Sequence, residues 1–120
     1  MKETAPITVV ETPEFLSVTR KLLDEEERAA LVEFLAYNPS AGTVIPGAGG
    51  IRKMRWGLER RGKRGGARII YFFHDLEMPL FLLTAYAKNE RDDLSHGDYR
   101  GFQQLTRTLV DSYQRRRRKS

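Results

Sequence analysis

Residues 7–12 alternate apolar and polar side chains (Ile-Thr-Val-Val-Glu-Thr) with β-branched residues prominent, which predicts a short opening strand. Pro13 suits the first turn of a helix, and Phe15, Val18 and Leu22 recur at helical spacing, predicting a helix from about Pro13 to Leu23. Asp24 with Glu27 reads as a capping box opening a second helix, with Leu31, Phe34 and Leu35 as its apolar stripe. Asn38-Pro39 stops it, and a loop rich in proline and glycine follows to Gly50. The period then changes to two. Arg52 to Leu58 places Lys53 and Arg55 on one face and Met54, Trp56 and Leu58 on the other. After a basic connector over residues 59–66, two strongly apolar strands are predicted, Ala67 to Asp75 and Leu80 to Lys88, joined by a short turn. A last helix begins near Asp98, carries Tyr99, Phe102, Leu109 and Tyr113 on one side, and runs into Arg115–Lys119.

The order β-α-α-β-β-β-α implies an α+β fold. Two N-terminal helices and a C-terminal helix pack on a small antiparallel sheet, covering one face and leaving the other partly open. The 120 residues suit one domain, with residues 115–120 expected as a basic tail.

Composition narrows the chemistry. With no cysteine there are no disulfides, thiolate metal sites or cysteine nucleophiles. Two histidines, His74 and His96, cannot build a histidine-rich metal centre, and His74 beside Asp75 reads as structural or merely exposed. The glycines at 47, 49 and 50 lack the Gly-Lys-Ser/Thr ending of a nucleotide loop. No metal or cofactor is therefore expected. No run approaches the ~20 apolar residues of a membrane span, and residues 1–11 lack the pattern of a signal peptide. The expected location is cytoplasmic, with no membrane partner.

Charge is divided unevenly. Residues 1–51 hold four basic and eight acidic residues, net −4, while residues 52–120 hold seventeen and eight, net +9; together they make the chain's +5. A basic face on a dipolar molecule points to a polyanion, most often nucleic acid.

Lys53 and Arg55, two apart on a strand, project about 7 Å apart to one side. Arg68 enters the neighbouring strand, and Tyr86 and Lys88 close the third. Guanidinium groups give bidentate donors to phosphate oxygens, and a tyrosine ring offers a surface on which a base stacks. No paired catalytic carboxylates and no Ser-His-Asp set stand out. An enzyme built this way needs a substrate that brings its own nucleophile, as the RNA 2′-hydroxyl does.

Three runs resemble the bacterial RelE/ParE toxin superfamily, especially its HigB-like branch: Val44-Ile45-Pro46-Gly47-Ala48-Gly49-Gly50-Ile51-Arg52-Lys53-Met54-Arg55, Gly62-Lys63-Arg64-Gly65-Gly66-Ala67-Arg68-Ile69-Ile70-Tyr71, and Leu83-Thr84-Ala85-Tyr86-Ala87-Lys88-Asn89-Glu90. The resemblance implies a RelE-like fold and a toxin of a type II toxin–antitoxin pair that enters the ribosomal A site and cuts the mRNA codon there without metal. It implies a cognate helix-turn-helix antitoxin, with operator DNA reached only through that antitoxin. It matches Lys53, Arg55, Arg68 and Lys88 to basic catalytic positions of the family; Tyr86 joins the catalytic set as a ring that stacks on a base, and Lys53 is the candidate proton acceptor. Arg52, Arg60, Arg61, Lys63 and Arg64 would grip RNA backbone. A tyrosine that some RelE-like enzymes use soon after the last strand falls near Ser95, and is absent there.

Two other readings stand beside this one. A ParE-like gyrase inhibitor would use Trp56 and the basic connector as a protein contact. A nucleic-acid-binding module without chemistry would use the basic face alone.

Overall fold

The computed structural model describes residues 5–57 and 66–119. Its elements are β1 (Val9–Glu11), α1 (Pro13–Thr19), α2 (Glu25–Tyr37), β2 (Thr43–Val44), β3 (Ile51–Trp56), β4 (Ala67–Phe72), β5 (Leu80–Ala87) and α3 (His96–Lys119). The five strands form one sheet in the order β1-β5-β4-β3-β2. All neighbours are antiparallel except β1, which runs parallel to β5. The α+β architecture is as the sequence predicts.

Local chemistry sets the helix starts. Thr12 accepts the Phe15 N–H at the N-cap of α1 and donates its hydroxyl to the Leu82 carbonyl at 2.7 Å, so one side chain starts the helix and ties it to β5. Asp24 and Glu27 form the expected capping box of α2. Ser95 and Asp98 do the same for α3: the Asp98 N–H donates to Ser95 Oγ at 3.0 Å and the Ser95 N–H to the Asp98 carboxylate at 3.1 Å.

Three expectations are corrected. First, both faces of the sheet are covered. Phe15, Leu22, Leu23, Leu31 and Leu35 bury one face against Ala67, Ile69, Tyr71, Leu82 and Ala85. Tyr99, Phe102, Leu109, Val110 and Tyr113 of α3 pack over Ile51, Ile70, Phe72, Phe81 and Leu83 on the other. Strands apolar on both sides, such as Ile69-Ile70-Tyr71-Phe72, require cover on both sides. Second, the loop after Asn38 contains β2, which pairs with β3 through Thr43↔Lys53 and Val44↔Arg52. Third, Arg115–Lys119 are the last turns of α3 rather than a tail, and Arg117 is ion-paired with Asp75 and Glu77 of the β4–β5 turn.

Two irregularities place side chains at the site. The β4–β5 register shifts between Ile70/Tyr71, so that Leu83 is the extra residue, and side chains of β5 keep facing both cores. Gly66 turns the chain into β4 with φ 62°, and a Cβ there would lie 2.6 Å from the Trp56 carbonyl oxygen, so only glycine fits. No helix among the described residues is long and apolar enough to cross a membrane.

Candidate nucleic-acid interface

The strand registers bring four of the five expected catalytic positions onto one face. Arg55 lies opposite Arg68, and Arg68 opposite Tyr86, giving a row across β3, β4 and β5. Lys53 precedes Arg55 by two and shares its side, the side on which α3 packs. Lys88 lies one residue past β5, its backbone N–H bonded to the Gly66 carbonyl at 3.2 Å. Arg55 is exposed; Lys53, Arg68 and Lys88 are half-buried.

Arg52 does not join them. It falls on the opposite side of β3 with Met54 and Trp56, where its Nη1 donates to the carbonyls of Ser40 (3.2 Å) and Gly42 (2.8 Å). Its guanidinium also lies over the Phe73 ring. Arg52 therefore holds the loop before β2, on the side of β3 away from the arginine row. Nearby, Tyr71 accepts the Gly42 N–H at 2.7 Å and donates to the Pro39 carbonyl at 2.9 Å, fixing the same loop. Burial raises the pKa of the Tyr71 hydroxyl, outweighing the Gly42 hydrogen bond. Arg60, Arg61, Lys63 and Arg64 lie outside the described residues.

Tyr86 departs from expectation more sharply. The sequence offers its ring for base stacking, but the residue is only 6% exposed and its ring belongs to the core beneath α3. The Arg91 guanidinium covers it at 5.7 Å, and its hydroxyl donates to the Asp92 carbonyl at 3.2 Å. Burial raises its pKa, with the nearby Lys53 charge opposing the shift.

The centre of the arrangement is a residue that the sequence does not single out. One carboxylate oxygen of Asp93 accepts the Tyr99 hydroxyl (2.7 Å), the Leu94 N–H (2.8 Å) and the Lys53 ammonium (3.1 Å). Partial burial alone would raise the Asp93 pKa, but these donors outweigh it and hold the carboxyl at about 2. The same contact raises the Tyr99 hydroxyl pKa, after burial as the larger cause. Thus a tyrosine hydroxyl does enter the site after the last strand, from the first turns of α3 and not from position 95. Asp92 pairs with Lys88 at 3.3 Å, and Arg91 with Asp98 at 3.4 Å. The adjacent acids 92 and 93, set in the basic half of the chain, were the signal available in the sequence.

Trp56 is half-buried and meets Phe34 of α2 at 5.7 Å between ring centroids. That packing turns it toward the α1–α2 core and away from the arginine row.

A row of guanidinium and ammonium groups on a rigid sheet, with carboxylate and tyrosine hydroxyls at its edge, can hold a phosphodiester and stabilise added negative charge. The sequence profile of the family described as "RelE toxin of RelE / RelB toxin-antitoxin system" matches residues 43–117, from the start of β2 to the last turns of α3, and so spans every described residue of this face. With well over half of the chain matched, the protein belongs to the RelE toxin family: it is a toxin of the toxin–antitoxin type, whose partner is an antitoxin.

Proposed function

We propose that the protein is a ribosome-dependent mRNA endonuclease of HigB-like character that acts in the cytoplasm, cutting codons in the A site. The observation that carries this reading is the row Arg55–Arg68–Tyr86 with Lys53 beside it, fixed by strand register on one face. A gyrase poison or a passive binding module has no need of cations gathered in one row on one face; a pentacovalent phosphate does.

In this reading the substrate 2′-hydroxyl loses its proton and its oxygen bonds to the adjacent phosphorus. The bond from phosphorus to the 5′-oxygen breaks, and that oxygen takes a proton. The products are a 2′,3′-cyclic phosphate and a 5′-hydroxyl end. Arg55 and Arg68 hold the non-bridging oxygens as their charge grows, and Lys88 supports the phosphate or the leaving oxygen. Lys53 takes the proton of the nucleophile as a neutral amine, which requires that it first leave Asp93 and give its own proton to solvent.

The test is purified protein with ribosomes programmed with a defined message. Cleavage within the A-site codon, ending in a 5′-hydroxyl and independent of added metal, supports the reading. Intact message alongside inhibited gyrase would replace it with the ParE-like one.

A further inference from the structure

Three consecutive residues between β5 and α3 each occupy one member of the cationic face. The Asp93 carboxylate holds the Lys53 ammonium at 3.1 Å, the Asp92 carboxylate holds Lys88 at 3.3 Å, and the Arg91 guanidinium covers the Tyr86 ring at 5.7 Å. From behind, the segment is fastened to its own loop and to α3: the Leu94 N–H and the Tyr99 hydroxyl fix the Asp93 carboxylate, while Arg91 donates to the Asp93 carbonyl at 3.1 Å and pairs with Asp98. Its contacts with the sheet face include a hydrogen bond from the Tyr86 hydroxyl to the Asp92 carbonyl at 3.2 Å and the two ion pairs. The Lys53 and Asp93 side chains are 29% and 50% exposed, and those of Lys88 and Asp92 39% and 95%, so both ion pairs are open to water, where such pairs contribute little.

We propose that Arg91–Asp93 is a resident strap that competes with RNA for this face: two carboxylates occupy Lys53 and Lys88 as phosphate oxygens would, and a guanidinium plane covers Tyr86 where a base would stack. The proposal rests on reading the face as an RNA site. A phosphodiester offers the lysines the same charge-assisted hydrogen bonds as the carboxylates, so exchange requires no change of fold. Displacing Arg91 uncovers one side of the Tyr86 ring. The buried tyrosine and the expected base contact are then two states of one residue.

The test uses the full chain with Asp93→Asn, which keeps an oxygen to accept from Leu94 and Tyr99 while removing the charge. Asp92→Asn serves as a second variant at a position too exposed to affect folding. The probes are acylation of Lys53 by an amine reagent, read by mass spectrometry, and anisotropy of a short single-stranded RNA whose 2′-positions are methylated. With Asp93→Asn, Lys53 acylation accelerates and RNA binds up to about fivefold tighter. The slope of log affinity against log salt steepens by about 0.7 per lysine freed. Asp92→Asn shows the same RNA effects through Lys88, and adding Lys53→Ala to Asp93→Asn cancels the gain. Unchanged acylation overturns the strap, and faster acylation without tighter RNA binding overturns the competition. Cleavage by the wild-type protein on programmed ribosomes judges the nuclease reading separately, whichever way these experiments fall.

Discussion

Arg55 faces Arg68 directly across the β3–β4 ladder. Like charges placed directly opposite on a sheet are destabilising. Keeping such a pair concentrates positive charge on this face. Arg55→Ala is therefore expected to leave the unfolding free energy unchanged within about 0.5 kcal/mol, or to raise it slightly. Cleavage should fall about 10²–10³-fold, the usual effect of removing one donor to developing charge. Denaturant titration and single-turnover cleavage of the same preparation check both halves. Loss of stability together with loss of activity would assign Arg55 to the scaffold.

Tyr71 tests the scaffold itself. Its hydroxyl accepts from Gly42 and donates to Pro39, and Tyr71→Phe leaves both backbone groups without that partner. The expected loss is about 1–3 kcal/mol, measurable by denaturant unfolding. Gly42→Ala should destabilise further, because a Cβ at residue 42 would sit 2.8 Å from the Tyr71 ring. Burial also holds the Tyr71 hydroxyl pKa above its unfolded value. Its contribution is complete below pH ~10 and is lost as pH rises through the folded value, so alkaline unfolding should move to higher pH in Tyr71→Phe relative to its own neutral-pH stability.

Gly66 connects the hairpin to the site. Alanine there meets the Trp56 carbonyl oxygen at 2.6 Å and must also adopt a left-handed backbone, which alone costs roughly 1–2 kcal/mol. Gly66→Ala should lower the melting temperature and shift Arg68, reducing cleavage even where folded protein persists. An unchanged melting curve would contradict the backbone geometry assigned to this turn.

The Asp93 carboxyl should titrate with a midpoint of about 2, followed by the chemical shift of its carboxyl carbon. Because the folded value lies below the unfolded one near ~4, its stabilising contribution is present above pH ~4 and is lost as pH falls through about 2. Lys53→Ala should raise the midpoint, since one donor and one positive charge disappear. A wild-type midpoint near 4 would contradict the three-donor arrangement.

The sequence made the elements legible where local chemistry decides them. Asp24 with Glu27, Pro13 after the opening strand, and the alternation of Lys53 and Arg55 against Met54 and Trp56 each act through neighbouring residues. What it concealed depends on partners distant along the chain. That α3 covers the second face is fixed by Phe102 and Tyr113 meeting Phe72 and Phe81, and no periodicity within α3 states which surface it meets. Arg52 alternates onto the side of α1 and α2 by the same rule that places Lys53 on the other, but its bond to the Gly42 carbonyl is a tertiary contact. Asp93 was hidden for the same reason: its partners Lys53 and Tyr99 come from two separate elements. The burial of Tyr86 is equally tertiary: its ring lies in the core beneath α3, with Arg91 over it.

The central claim is that this toxin cuts translated mRNA with the Arg55–Arg68 face. Its most direct test maps mRNA 5′ ends in cells after brief induction of the wild-type chain and of Arg68→Ala at matched protein levels. The account predicts new 5′-hydroxyl ends inside translated codons with the wild type and their loss with Arg68→Ala. Intact messages with DNA breaks, or identical cleavage by both proteins, would contradict it.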